Sequence, residues 1–171
     1  PSVASADLGR FTIPAAFEDR FFFLVAELKH PDGELLSRSV YWPRCLKVMA
    51  DPEFRRKYRE SPQPTPAFDR GPWLKPQVAA ARTSLALEVL SRQENRFEVR
   101  VRNTGPHPAF PVHLDIQGTR RAFHATDNFF LLRPGESRQL QLEVLWRDLS
   151  TREQAVVTVQ AWNADSRSAP R

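Results

Sequence analysis

From about residue 80 onward, apolar and polar residues alternate with period two. Leu85, Leu87 and Val89 alternate with Ala86 and Glu88, and Phe97, Val99 and Val101 with Glu98, Arg100 and Arg102. Val112, Leu114 and Ile116 alternate with His113 and Asp115. Leu140, Leu142 and Val144 alternate with Gln139, Gln141 and Glu143, and Val157, Val159 and Ala161 with Thr158 and Gln160. Successive side chains of a strand point to opposite faces, so each segment presents one buried and one wet face, as antiparallel sheets require. Residues 120–125 and 128–132 add two shorter strands. Turn residues separate them: Gln93-Glu94-Asn95, Asn103-Thr104-Gly105-Pro106, Gln117-Gly118-Thr119 and Arg133-Pro134-Gly135. Pro134-Gly135 fits the centre of a type II turn, with the glycine at positive φ. Seven strands at this spacing, in about 85 residues, predict an immunoglobulin-like antiparallel β-sandwich. The paired cysteines of antibody domains are missing, since Cys45 is the single cysteine.

The first forty residues are also strand-like. Residues 8–13 read as a short strand closed by Pro14. Residues 20–28 read as a longer one, with Phe21, Phe22, Phe23, Leu24 and Val25 apolar on both faces. His30-Pro31-Asp32-Gly33 is a turn by mechanism: proline fixes φ and Asp-Gly suits positive φ. Residues 35–42 then return as the second strand of a hairpin. The middle of the chain differs. Pro52, Pro62, Pro64, Pro66, Pro72 and Pro76 interrupt regular structure, leaving room for a helical turn or two around residues 52–59. Phe54, Tyr58, Phe68, Trp73 and Leu74 predict that this connector packs on something, because a free linker does not carry so many large apolar side chains.

Composition narrows the function classes. The chain has 171 residues and a net charge of +5, carried by 21 arginines and 4 lysines. The arginines are scattered along the strands, and the one dense run (Arg55, Arg56, Lys57, Arg59) is flanked by Glu53 and Glu60. The expectation is a solvated arginine-rich surface rather than a nucleic-acid interface, which needs clustering on one face. The longest apolar run, residues 21–26, is far short of a membrane helix. Pro1-Ser2-Val3-Ala4 has no charged n-region followed by an apolar core, so no signal peptide is expected and the compartment stays open.

One segment is familiar. Thr126-Asp127-Asn128-Phe129-Phe130-Leu131-Leu132-Arg133-Pro134-Gly135-Glu136-Ser137 resembles the "S-D-N-[YF]-F-x-L-L-P-G-E" signature. That signature lies in the last immunoglobulin-like domain of glycoside hydrolase family two β-mannosidases and exo-β-glucosaminidases. The run from Phe22 to Leu28, then Asp32-Gly33-Glu34-Leu35-Leu36-Ser37, then Val40-Tyr41-Trp42, resembles the closing hairpin of the preceding domain. Asn103-Thr104-Gly105 through Phe110 and Leu114 is similar to the "N-x-G…A-F-x-V-x-L" strand pair of the last domain. Arg133 is an insertion against the pattern, and Ser39-Val40 replaces the usual Asn-Phe.

The resemblance implies an organisation: residues 1–43 as the closing strands of a partial immunoglobulin-like domain, 44–78 as a connector, 79–165 as a complete sandwich and 166–171 as a tail. It also implies a longer parent polypeptide with a catalytic (β/α)8 barrel. Asp127, Asn128, Pro134, Gly135 and Glu136 would then be structural residues of the family motif.

No catalytic constellation is expected within this chain. Retaining glycosidases need two carboxylates about 5 to 5.5 Å apart, and in this family the acid/base glutamate follows an asparagine. Asn95, Asn103, Asn128 and Asn163 are followed by Arg, Thr, Phe and Ala. Cys45 reads as a spectator thiol. His30, His107, His113 and His124 have no zinc spacing, and Asp127 supplies too few oxygens for calcium. No cofactor is expected.

The leading expectation is therefore a non-catalytic accessory sandwich whose partners are the other domains of its own polypeptide. The alternative is a carbohydrate-binding module contacting β-linked sugars through Trp42, Trp73, Trp146 or Trp162. Of these, Trp162 lies opposite the buried face of its strand. A polyanion-binding domain comes last; neither nucleic acid nor membrane is an expected partner.

Overall fold

A computed structural model describes residues 7, 9–17, 22–41, 52, 53, 56, 78–118 and 121–169. The chain divides into two compact units, Pro1–Arg70 and Gly71–Arg171.

In the first unit, β1 (Leu24–Lys29) and β2 (Leu35–Tyr41) form an antiparallel hairpin. Its turn closes as the sequence predicts. Gly33 has φ +95°, its N–H donates to the His30 carbonyl at 2.8 Å, and the His30 N–H donates to the Glu34 carbonyl at 2.8 Å. Glu27 and Arg38 stand directly opposite each other, and the guanidinium donates to Glu27 Oε1 through Nε at 2.9 Å and Nη2 at 2.8 Å. The strand expected over residues 8–13 does not form in its described part, 9–13. Asp7 Oδ1 accepts the Gly9 N–H at 2.8 Å, and Gly9 takes φ +90°. This local turn competes successfully with extension. A 3-10 turn, Ala15–Phe17, follows Pro14. In the middle segment Pro52, Glu53 and Arg56 are helical; the other predicted features there, including Cys45, Phe54, Tyr58, Phe68 and Leu74, lie outside the described residues.

The second unit is a sandwich of two four-stranded antiparallel sheets. β3 (Leu85–Arg92), β4 (Arg96–Asn103), β8 (Ser137–Trp146) and β6 (Arg121–Ala125) form one sheet in that order. β10 (Ala164–Ser168), β9 (Val156–Ala161), β5 (Ala109–Gln117) and β7 (Phe130–Leu132) form the other. The period-two pattern sets the core. Phe97, Val99, Val101, Leu140 and Leu142 from the first sheet meet Val112, Leu114, Ile116, Val157 and Val159 from the second, all fully or almost fully buried. Each such side chain contributes on the order of 1.5–3 kcal/mol by leaving water.

Among the described residues of this unit eight strands form, where the alternation predicts seven. β10 has the sequence Ala-Asp-Ser-Arg-Ser and only Ala164 buried, so it carries no apolar period; it is recruited by pairing with β9. β7 is shorter than predicted and starts at Phe130. In β5, Phe110 and Pro111 together stand opposite Leu131, a bulge in which the Phe110–Pro111 peptide is cis. Among the described residues no helix is long and apolar enough to cross a membrane.

Candidate functional site

The family-motif residues cluster around β7. Asp127 follows the end of β6 and pairs with Arg138 across the sandwich edge. Arg138 stands opposite Val101, and its guanidinium lies over the Phe130 ring, 5.0 Å from the centroid. Asn128 then acts on backbone. Its Oδ1 accepts the N–H groups of Leu114 at 2.9 Å and Phe129 at 3.2 Å, and its Nδ2 donates to the Leu114 carbonyl at 3.3 Å.

Phe129 is held at φ +63°, a conformation uncommon for a bulky residue. The residue is 64% exposed, and its ring stacks on His113 at 5.3 Å and 19°. His113 in turn stands opposite Gln160 on β9, and Gln160 Nε2 donates to His113 Nε2 at 2.6 Å. Phe129, His113 and Gln160 thus form one row across the outer face of this sheet. Sequence reading placed His113 on a polar face but gave no signal for this row, since strand partners are not visible in one chain.

Pro134, Gly135 and Glu136 build the β7–β8 turn. The Glu136 N–H donates to the Arg133 carbonyl at 3.0 Å and Gly135 has φ +77°, the type II geometry predicted. Glu136 Oε2 also accepts the Arg133 N–H at 2.9 Å. The turn is anchored to β4: the Gly135 N–H donates to the Asn103 carbonyl at 2.9 Å, and the Asn103 N–H to the Glu136 carbonyl at 3.0 Å.

Two asparagines organise this end of the sandwich. Asn103 is fully buried. Its Oδ1 accepts from Thr83 Oγ1 at 2.7 Å and the Gly105 N–H at 3.1 Å. Its Nδ2 donates to the carbonyls of His107 at 2.7 Å and Leu132 at 3.1 Å. Asn163 does the same for the β9–β10 turn, donating to the carbonyls of Ala81 at 2.7 Å and Pro108 at 2.8 Å and accepting from the Phe110 N–H at 3.3 Å.

The two described tryptophans, Trp146 and Trp162, lie on different elements. Trp146 belongs to the first sheet, packs edge-on against Phe97 at 6.3 Å, and donates its indole N–H to the Glu94 carbonyl at 2.8 Å. Trp162 sits in the two-residue turn between β9 and β10, 49% exposed. Trp42 and Trp73 lie outside the described residues.

The outer face of the first sheet is a lattice of charges. Arg100 pairs with Glu88 at 2.9 Å and Arg96 with Glu143 at 2.8 Å, and Gln139 donates to Glu98. An open depression of about 930 Å3 lies between the Gln93–Arg96 turn, β6 and β8. Its carboxylates, Glu94 and Glu143, are each engaged by an arginine, Arg152 and Arg96. Among the described residues no group of three or more His, Cys, Asp or Glu side chains is placed to hold a metal ion.

Two antiparallel four-stranded sheets, with the chain passing between them from β5 to β8, define an immunoglobulin-like sandwich. The chain belongs to the exo-β-D-glucosaminidase Ig-fold domain family, whose model matches residues 76–164. Its fold is similar to part of the Amycolatopsis orientalis exo-chitosanase CsxA, at 15% identity and a TM-score of 0.59, covering 94% of this chain and 19% of that one. A structure from work on the inhibition of the exo-β-D-glucosaminidase CsxA by a glucosamine-configured castanospermine gives 16% identity and a TM-score of 0.58 over 94% and 19% of the two chains. A CsxA complex with PNP-β-D-glucosamine gives 19% identity and 0.54 over 84% and 17%. The chain therefore spans about a fifth of the length of these solved relatives. No curated protein sequence matches it.

Proposed function

We propose that this chain is a non-catalytic accessory region of an exo-glucosaminidase-type glycoside hydrolase, packing against and supporting a catalytic barrel that lies outside it. In this reading the hairpin of the first unit supplies closing strands of a neighbouring β-domain, residues 44–78 connect, and the sandwich is the family domain. The observation that carries the reading is the coverage: nearly all of this chain, but only 19% of CsxA, is shared in fold. The carboxylates support it. Glu88, Asp115, Asp127, Glu143 and Asp165 are each drawn to an arginine, whereas retaining chemistry needs two carboxylates facing one substrate across about 5 to 5.5 Å. The parent substrate in this reading is a terminal β-linked glucosamine rather than a β-mannoside.

The test is an assay of the purified chain on aryl β-D-glucosaminides and aryl β-mannosides. No turnover is expected, and turnover by the pure chain overturns the proposal.

A second reading, sugar binding, is favoured by the half-exposed Trp162 at a turn. It requires a saturable change in tryptophan fluorescence with glucosamine or mannan oligosaccharides, and a flat titration rejects it.

A further inference from the structure

Both outer faces of the sandwich carry arginine–carboxylate pairs, but the second sheet also holds an uncharged row. The first sheet presents arginines and carboxylates that pair with one another, an arrangement suited to water. The row across the second sheet, Phe129, His113 and Gln160, is uncharged, and Asp115, the next outward residue of the same strand, is paired with Arg121.

Its largest member is also the least comfortable. A phenylalanine at φ +63° is strained, and such strain persists only where the surroundings over-determine it. Here Asn128 fixes the Phe129 N–H from one side and His113 backs the ring from the other. The outcome is an aromatic residue held 64% exposed and backed by a stacked imidazole, outside the sandwich's own core cluster. Pre-ordered aromatic side chains of this kind anchor protein interfaces, because little rotamer entropy remains to be lost on contact.

We infer that this face, centred on Phe129, is the surface by which the domain docks on the catalytic domain of its own polypeptide, against a patch that is apolar and of low charge. The inference rests on the accessory-domain reading, and the occupant follows from length: four-fifths of the related CsxA chain lies outside the shared region.

The test uses the full-length parent polypeptide and follows the half-life of its glycosidase activity at raised temperature. Phe129→Asp places a charge in the contact. Phe129→Gly removes the ring while relieving the backbone strain, so it separates loss of docking from loss of folding. Leu145→Asp, at a 70% exposed position on the outer face of the other sheet, is the control.

Both Phe129 variants are expected to shorten the half-life by about tenfold, the effect of losing an interface anchor, with the control within about twofold. If both Phe129 variants behave like the control, the inference is overturned. Removal of residues 76–164 then separates the two ideas: a shortened half-life leaves the accessory reading standing, and an unchanged one rejects it as well. A Phe129→Asp protein that keeps its half-life but loses affinity for glucosamine oligosaccharides would make the occupant a sugar and would also overturn the inference.

Discussion

The side chain of Asn128 takes the place of a strand residue opposite Leu114, accepting its N–H at 2.9 Å and donating to its carbonyl at 3.3 Å. This explains why β7 is three residues long although the apolar run begins earlier: the ladder continues through a side chain while the backbone turns aside at Phe129. Asn128→Ala leaves both Leu114 groups without their partner beside the core. The expected loss is about 1–3 kcal/mol of unfolding free energy, measured by urea denaturation. Asn128→Asp keeps the acceptor and loses the donor, so it should fall between wild type and alanine. An alanine variant as stable as wild type would remove Asn128 from the structural account.

Asn103 is expected to be more sensitive. It is fully buried and satisfies four groups: one before β3, two in the β4–β5 loop and one on β7. Asn103→Ala strands the carbonyls of His107 and Leu132 and the hydroxyl of Thr83 together, at about 1–3 kcal/mol for each group left buried and unpaired. Asn103→Asp should be at least as damaging, because a carboxylate would face two carbonyl oxygens in place of the amide donor. Thermal melts should rank both below Asn128→Ala; the reverse order would mean that water readily replaces the Asn103 network.

The sandwich was legible because its core strands obey one rule. In β4 and β8, every residue expected inward from Phe97 to Val101 and from Leu140 to Val144 is buried. The hairpin turn and the type II turn at Pro134-Gly135 were legible because glycine's freedom at positive φ is a local property. What escaped is what depends on partners. β10 has no apolar period and exists through its pairing with β9. Residues 9–13 looked extended until the Asp7 side chain captured the Gly9 N–H. Asn163 carries no pattern at all, yet it joins its own turn to two segments, 53 to 55 and 82 residues away in sequence. The Phe129 row is likewise assembled from β5, β9 and the residue before β7, so residue type alone could single out tryptophans but not this face.

Acid should loosen the contact between the segment before β3 and the last strand. Arg82 Nη2 lies 2.5 Å from Asp165 Oδ1, and this hydrogen bond and the arginine charge hold the Asp165 carboxyl below the ordinary aspartate value of 3.8. A carboxyl whose folded pKa is depressed adds stability that is fully present above the unfolded value and is lost as pH falls through the folded one. The contribution is therefore constant at neutral pH and disappears only below about pH 4. NMR titration of the Asp165 side chain should show the depression, and Arg82→Gln should return it toward the ordinary value. A titration unchanged by Arg82→Gln would show that another group sets the shift.

Gly105 and Gly135 should respond to the same substitution for different reasons and by different amounts. A Cβ on Gly105 would stand 2.3 Å from Thr83 Oγ1 and 2.6 Å from the Ser84 nitrogen. Neither can retreat easily, because Thr83 Oγ1 is committed to Asn103 and the second contact is backbone. Gly105→Ala should therefore cost about 1–3 kcal/mol through overpacking and disturb the Asn103 network with it. A Cβ on Gly135 meets nothing within 4 Å, but the residue sits at φ +77°. Gly135→Ala should cost about 1–2 kcal/mol, the left-handed penalty of an L-residue, and Gly135→Asn less, since asparagine tolerates that region. Denaturation midpoints should rank Gly135→Asn, then Gly135→Ala, then Gly105→Ala in order of increasing damage. A Gly105→Ala variant milder than Gly135→Asn would mean that the loop over Thr83 yields, and that the Asn103 end is softer than its hydrogen bonds imply.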